Sequence, residues 1–467
     1  MSLAVQIGLL SGALLGSFFV LQSIWILLTI PFVIIVYWLY SDIRLIFLLL
    51  GLVSMIGMGY YLNIRIDQYT HIQANIPDRL DNEEMIIQSS PRIQSFGYQY
   101  KAHIPEYNAY IFITLNNSEL PYGENIVVTG KTQIPESQGI QRFLLGKHIH
   151  RYAIASDYQV KDQYSCSLWC DSMRLVADMR QFIINRIDNA YPSQVGEFLK
   201  GILIGYTDTL PDTIKESFKR TGVSHVLAVS GYNMAIIIIL VYQQLINREI
   251  AKKYAFMITV IVMMVFTVLT GAEASIMRAG IFAFIILLAE QLQHYVGGFR
   301  PLILCATVLI LINPLYIGYD IGFQLSFLAV IGLIVYGQVW KRYGEGLPSL
   351  GIFPMIGETL FAQIAVLPIL IYYFGQISII SIIANILIVP IIPFAMAWGS
   401  VTSLFFSWDI FTYPLILFIN SILRMNQYLA AIEWASITIP PISGLMVGVI
   451  YGVMGVIYWI YRKYQII

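Results

Sequence analysis

Apolar stretches close to the length of a membrane-crossing helix recur from one end of this chain to the other. A run of about 20 such residues leaves a backbone little freedom, because in hydrocarbon it must satisfy its own hydrogen bonds as a helix. Leu3 to Val20, Ile24 to Tyr40 and Ile43 to Leu62 come first, followed by a polar interval. Further runs lie near Ala255 to Thr270, Ser275 to Leu292, Pro301 to Tyr316, Ile321 to Trp340, Ile352 to Phe374, Ile377 to Phe406, Ile410 to Leu423 and Leu445 to Tyr461. With a run that starts inside Lys219 to Leu240, this predicts a polytopic α-helical membrane protein of about twelve spans. Composition agrees: 58% hydrophobic and 12% charged residues, with mean hydropathy +0.71, exclude an ordinary soluble globule of 467 residues. The first run lacks the charged leader and small-residue cleavage site of a secretory signal and reads as a retained helix.

Twenty-seven basic residues balance twenty-seven acidic ones, so net charge identifies no polyanionic partner and only placement is informative. Arg248, Lys252 and Lys253, then Arg300, then Lys341 and Arg342, and lastly Arg462 and Lys463 fall at span ends that share one side. The positive-inside rule makes that side cytoplasmic, with both termini inside and the polar interval outside. The span Ile377 to Phe406 contains Pro390 and Pro393, which predicts a kinked, discontinuous or re-entrant element.

The polar interval, residues 63–172, has the character of a separate domain. Met85 to Gln88, Tyr98 to Ile104, Ala109 to Leu115, Asn125 to Gly130 and Arg151 to Val160 read as strands between turn-forming breakers. Five short strands suit a small external β-barrel of the OB type. Arg92, Lys101, Lys131, Arg142, Lys147 and Arg151 offer charge for single-stranded nucleic acid, while a purely structural barrel remains the alternative. His148 and His150 form H-x-H without an identifiable third metal ligand, so a solvated strand face is the favoured reading. Cys166 and Cys170 sit in the outward-facing segment, where a disulfide is favoured over metal ligation. Residues 173–210 carry helical periodicity and read as amphipathic, interfacial helices. Residues 211–467 form the membrane domain.

Within that domain the segment from Lys219 to Leu240 stands apart. Arg220, Thr221, Gly222 and Ser224 supply boundary, turn and capping chemistry. His225, Ser230, Gly231, Tyr232 and Asn233 then enter an apolar run, where an unpaired polar group costs about 1–3 kcal/mol. Two readings stand: a helix interrupted to make a site, and small residues that let two helices approach closely. Elsewhere Glu273 and Arg278 are able to pair with each other, and Asp320 and Gln324 lie one helical turn apart. Gln363 and Asn385 are amides that either bridge helices or line a wet path. Arg220, Arg278, Tyr232 and Phe323 are candidate contacts for a phosphate-bearing, base-stacking ligand.

Four blocks carry a resemblance: LKGILIGYTDTLPDTIKESFKRTGVSHVLAVSGYNM, LTGAEASIMRAGIFA, NPLYIGYDIGFQLSFLAVIGL and ILIYYFGQISIISIIANILIVPIIP. Their order resembles the ComEC family of competence proteins, which are inner-membrane channels that pass single-stranded DNA into bacteria during natural transformation. The resemblance implies an external OB-type domain, a translocation channel, and no resident cofactor or catalysis. The partners it implies are single-stranded DNA, the lipid bilayer, and DNA-receptor, nuclease and cytoplasmic DNA-translocase proteins. Two features depart from the family pattern. Where the family commonly reads S-G-L-H, this chain has Ser230, Gly231, Tyr232 and Asn233, and Asn cannot titrate. Many members also carry a metallo-β-lactamase-like domain with an H-x-H-x-D-H motif; this sequence has none, so strand degradation is expected from a separate protein. The competing expectations are a secondary transporter for a small polar solute and an intramembrane enzyme using His225 and Ser230. No third orienting group supports the enzyme.

Overall fold

A computed structural model describes residues 60–61, 64–89, 92–94, 97–116, 120–161, 168–227, 229–271, 274–293, 299–313, 315–344, 352–404, 409–440 and 442–463. The first two expected spans, the third apart from Tyr60 and Tyr61, Cys166, Glu273 and the side chain of Cys170 lie outside the described residues. The chain divides into two compact units, one of residues 1–179 with 303–324 and one of residues 180–302 with 325–467.

The first unit contains a closed β-barrel. Alternating apolar residues produce strands β1 (Arg79–Ile87), β3 (Gly97–Ile104), β4 (Ala109–Leu115), β5 (Asn125–Gln133) and β6 (Arg151–Val160). A short β2 (Arg92–Gln94) pairs only at the β3 edge. The order β1-β5-β6-β4-β3 closes on itself through Ile86 opposite His103 and Ile87 opposite Ala102. β4 and β6 run parallel, whereas the other pairs are antiparallel. Closure removes the open edges that a five-stranded sheet would otherwise expose. Leu80, Met85, Ile87, Tyr100, Ile104, Ile111 and Ile113 fill the interior. The buried Tyr100 hydroxyl accepts a hydrogen bond from the Leu120 N–H at 2.8 Å.

The expected strands are present, two of them with the expected ends. β1 starts earlier, at Arg79, because the bulge between Leu80 and Glu83 breaks the alternation that marks a strand in sequence. The helix Gln138–Gly146, between β5 and β6, was not foreseen. Residues 64–75 are helical and lie against the barrel: the Tyr69 hydroxyl donates to the Ile149 carbonyl, and Gln73 Nε2 to the His150 carbonyl at 2.7 Å.

The second unit is helical. Among the described residues three helices are long and apolar enough to cross a membrane: Lys252–Leu269, Ile356–Phe374 and Ser381–Ser403. Shorter apolar helices cover Gly231–Asn247, Phe299–Ile312, Ile321–Gly337 and Gly444–Ile460. The expected break near Pro390 appears as the tight turn Val389–Ile391 between the helices Ser381–Ile388 and Ile392–Leu404. At the centre the helix Ser193–Ile204 is buried from Val195 onward, and Phe198, Leu199 and Ile202 share a core with Phe218, Ala384, Ile388, Leu415 and Ile419. A two-stranded antiparallel ribbon, β7 (Gln376–Ser378) with β8 (Ser436–Thr438), links the chain after the helix Ile352–Phe374 to the chain before the helix Gly444–Lys463.

Candidate functional site

In the helical unit the polar segment of the sequence becomes a helix end, a turn and a new helix. Asp212–Arg220 is an amphipathic helix with Asp212 in its first turn and Lys219 and Arg220 in its last, the arrangement that its dipole favours. It stops at Thr221, and Gly222 follows with φ +73°, where a side chain is disfavoured. A Cβ on Gly222 would also stand 2.7 Å from the Ser381 Cβ and 2.9 Å from the Ser378 Cβ, so this turn seats directly on the ribbon end. Ser224–Val226 is one tight turn, and the helix from Gly231 continues through a wider π turn at Ile239–Gln243. Such turns recur at functional sites.

Two buried anchors bracket the segment. Thr221 and Asn426, both fully buried, pair through the Thr221 hydroxyl to Asn426 Oδ1 at 2.7 Å, and Asn426 Nδ2 donates to Ser217 Oγ at 3.0 Å. At the other end the buried Asn233 donates through Nδ2 to the Ile202 carbonyl at 3.2 Å, satisfying an acceptor in the last turn of the central helix. Between these anchors Ser224, His225, Gly231 and Tyr232 are exposed, and Ser230 is half-buried. A Cβ on Gly231 would meet only Ala279, at an ordinary 3.4 Å. Arg220 donates to the Ile432 carbonyl at 3.3 Å. Gln363 bonds the Ser381 hydroxyl, and Asn385 donates to the Ser381 carbonyl at 2.7 Å, so both amides bridge or brace helices. Arg278 is buried within the helix Ala274–Gln291.

One charged cluster was not foreseen. Lys200, buried in the central helix, donates to Asp188 Oδ1 at 2.8 Å and Glu197 Oε1 at 2.9 Å, and Glu197 accepts from the Thr209 hydroxyl. Its sequence signal is Glu197 and Lys200, an i,i+3 pair of opposite charges inside the apolar run Val195 to Ile204. Two carboxylates offset the desolvation of its ammonium and tie the helix Leu168–Ala190 to Ser193–Ile204.

In the first unit Asp320, Phe323 and Gln324 build a loop. Asp320 Oδ1 accepts from the Phe323 N–H at 2.6 Å, capping the helix Ile321–Gly344, and Gln324 Nε2 donates to the Ile317 carbonyl at 3.0 Å. Phe323 is buried against Tyr316, with ring centroids 6.3 Å apart.

The barrel carries a second polar surface. Lys101 Nζ lies 4.5 Å above the Tyr110 ring, and the His103 ring lies 4.8 Å from Tyr110. Lys147 Nζ lies 5.2 Å above the exposed Phe143 ring. Burial and then the charge of Lys147 lower the Lys101 pKa; burial, Arg65 and Lys101 hold His148 below its ordinary value. His150, stacked on Tyr69 at 4.7 Å, is pushed down to about 4, chiefly by burial. The edge is defined by geometry, with the ammonium groups of Lys101 and Lys147 beside the Tyr110 and Phe143 rings. Arg151, by contrast, is buried and committed to Asp78, the Thr132 hydroxyl at 3.1 Å and the Gln73 carbonyl at 3.1 Å, which leaves it no role toward a phosphate. Lys161 pairs with Glu84, and Arg174 Nη2 stands 3.7 Å from Glu124. Arg92 and Arg142 have no described side chains, and among the described residues no His, Cys, Asp and Glu cluster fits a metal ion.

Residues 202–464, more than half of the chain, match the family described as Competence protein, and the chain belongs to that family. It is similar to the ComE operon protein 3 of Bacillus subtilis (strain 168), at 27% identity over 299 residues that make up 61% of this chain and 38% of the relative. The chain thus aligns with well under two thirds of that relative's length. No solved structure matches it.

Proposed function

We propose that this chain is the membrane channel of a DNA-uptake system and passes single-stranded DNA to the cytoplasm. Family membership supports a role in competence. The observation that carries the single-strand reading is the barrel edge, where Lys101 and Lys147 sit over the faces of Tyr110 and Phe143. Cations track a phosphate backbone, and the exposed Phe143 ring beside them offers apolar surface to the bases that a duplex would hide. The closed barrel of five strands supports its assignment as an OB-type domain.

In this reading the barrel is external and the chain makes about twelve passes with both termini inside. Arg248, Lys252, Arg300, Lys341 and Arg342 stand at or near helix ends on the side assigned to the cytoplasm. Ser224, His225, Ser230, Gly231 and Tyr232 form the accessible stretch offered to the strand, with Thr221 and Asn233 holding it in place. The system's other parts are a DNA receptor, a nuclease and a cytoplasmic DNA translocase. A small-solute transporter is the second reading, favoured by the helix break at Val389–Ile391 and the π turn.

The test is fluorescence anisotropy of labelled single-stranded and duplex oligonucleotides with purified full-length protein in detergent. The channel reading expects tighter single-strand binding that weakens with salt. Lys101→Ala with Lys147→Ala should lower affinity and flatten the log–log salt slope by ~0.7 for each phosphate left without its cation. Absent single-strand binding, or a double variant indistinguishable from the parent, counts against it.

A further inference from the structure

We propose that Asn313 with residues 315–320 is a docking platform for the barrel, and that Asn313 and Gly146 are positioning residues that hold the cationic edge in its working place. The inference rests on the DNA-uptake reading for its purpose, but its geometry stands apart from that reading. Asn313 is buried and uses both ends of its amide. Oδ1 accepts from the Leu315 N–H at 3.1 Å, which folds the segment's own turn, and Nδ2 donates to the Gly146 carbonyl at 3.3 Å, which reaches the barrel.

Gly146 ends the helix Gln138–Gly146, immediately before Lys147. A Cβ on it would stand 3.2 Å from the Tyr319 carbonyl oxygen and 3.3 Å from its carbon, so the missing side chain permits backbone-to-backbone approach. His148 shares a hydrogen bond with Asn313 and holds φ +54°, a conformation costly for a residue with a Cβ. The platform is itself braced, by the Asp320 cap, by Gln324 on the Ile317 carbonyl and by Phe323 against Tyr316. Asp320, Phe323 and Gln324 thus shape a surface that the barrel's helix end fits. Because Lys147 follows Gly146 directly, fixing Gly146 fixes the Lys147 end of the cationic edge.

A disulfide tests this directly. The Cβ built on Gly146 lies 3.5 Å from the Tyr319 Cβ, inside the range that a disulfide bridges. Full-length protein carrying Gly146→Cys with Tyr319→Cys should form that bond in native membranes on mild oxidation, read as joined peptides by mass spectrometry. The reduced pair, which puts a Cβ on Gly146 and removes the Tyr319 ring, should import DNA more slowly than the parent, and oxidation should bring entry back toward the parent rate. Asn313→Ala should lower entry about fivefold, the factor by which removing one buried hydrogen bond moves an equilibrium. Adding the cysteine pair to Asn313→Ala should restore entry when oxidised and lose it again with reductant, which a residue needed only for folding would not do. Failure of the pair to join, loss of import on oxidation, or full import by Asn313→Ala overturns the proposal. A bond that forms in a protein whose deletion leaves DNA entry unchanged removes the uptake reading and leaves the dock in place.

Discussion

Asn233 and Tyr232 are neighbours with opposite fates: the amide is buried on the Ile202 carbonyl, and the ring is exposed. Asn233→Leu should therefore cost about 1–3 kcal/mol of folding stability by leaving an acceptor unsatisfied. Its signature is lower abundance in membranes, checked by quantitative immunoblot. Tyr232→Ala should leave abundance unchanged and reduce DNA entry; normal abundance of the first variant and normal import by the second would contradict the assignment. His150 makes a different prediction. Its pKa of about 4 lies below the ordinary 6.5, so between those values the unfolded chain binds a proton that the folded barrel refuses. Stability therefore falls as pH drops through this window, by up to about 3 kcal/mol. Protection of barrel amides, taken relative to the unstructured exchange rate at each pH, should fall from pH 6.5 to 4, and His150→Gln should flatten that response. The sequence showed Asn233 as a polar group in an apolar run, but its partner lies 31 residues earlier, and no local pattern encodes such a pairing.

At the scale of elements, the turn at Gly222 joins the helix Asp212–Arg220 to the β7–β8 ribbon. Gly222→Ala combines a left-handed backbone with a Cβ at 2.7 Å from the Ser381 Cβ and should destabilise by about 2 kcal/mol or more. The check is a lowered thermal midpoint of purified protein in detergent, and an unchanged midpoint would refute the seating of this turn on the ribbon. Strands β4 and β6 were legible because alternation and flanking breakers mark both ends. The helix Gln138–Gly146 was not, although Ile140, Phe143 and Leu144 carry its spacing, because Gly139 and the preceding Pro135 read as loop. The ribbon escaped notice for another reason: three-residue strands between apolar helices have no period long enough to detect.

For the whole molecule, composition and run length announced a helical membrane protein, and the change of character after residue 63 announced the strands of the barrel. The candidate site was legible as a cluster of types but not of roles. Thr221, Asn233, Asp320 and Gln324 brace the structure, while His225 and Tyr232 remain accessible, and only packing distinguishes them. In the function we propose, the assembled chain carries DNA across the membrane rather than gathering it at the surface. This function is tested most directly by giving labelled DNA to cells lacking this protein and scoring surface-bound and internalised label separately. The expected result is normal surface binding with entry abolished, restored by supplying this chain. Unchanged entry, with uptake of a small metabolite lost instead, would contradict it.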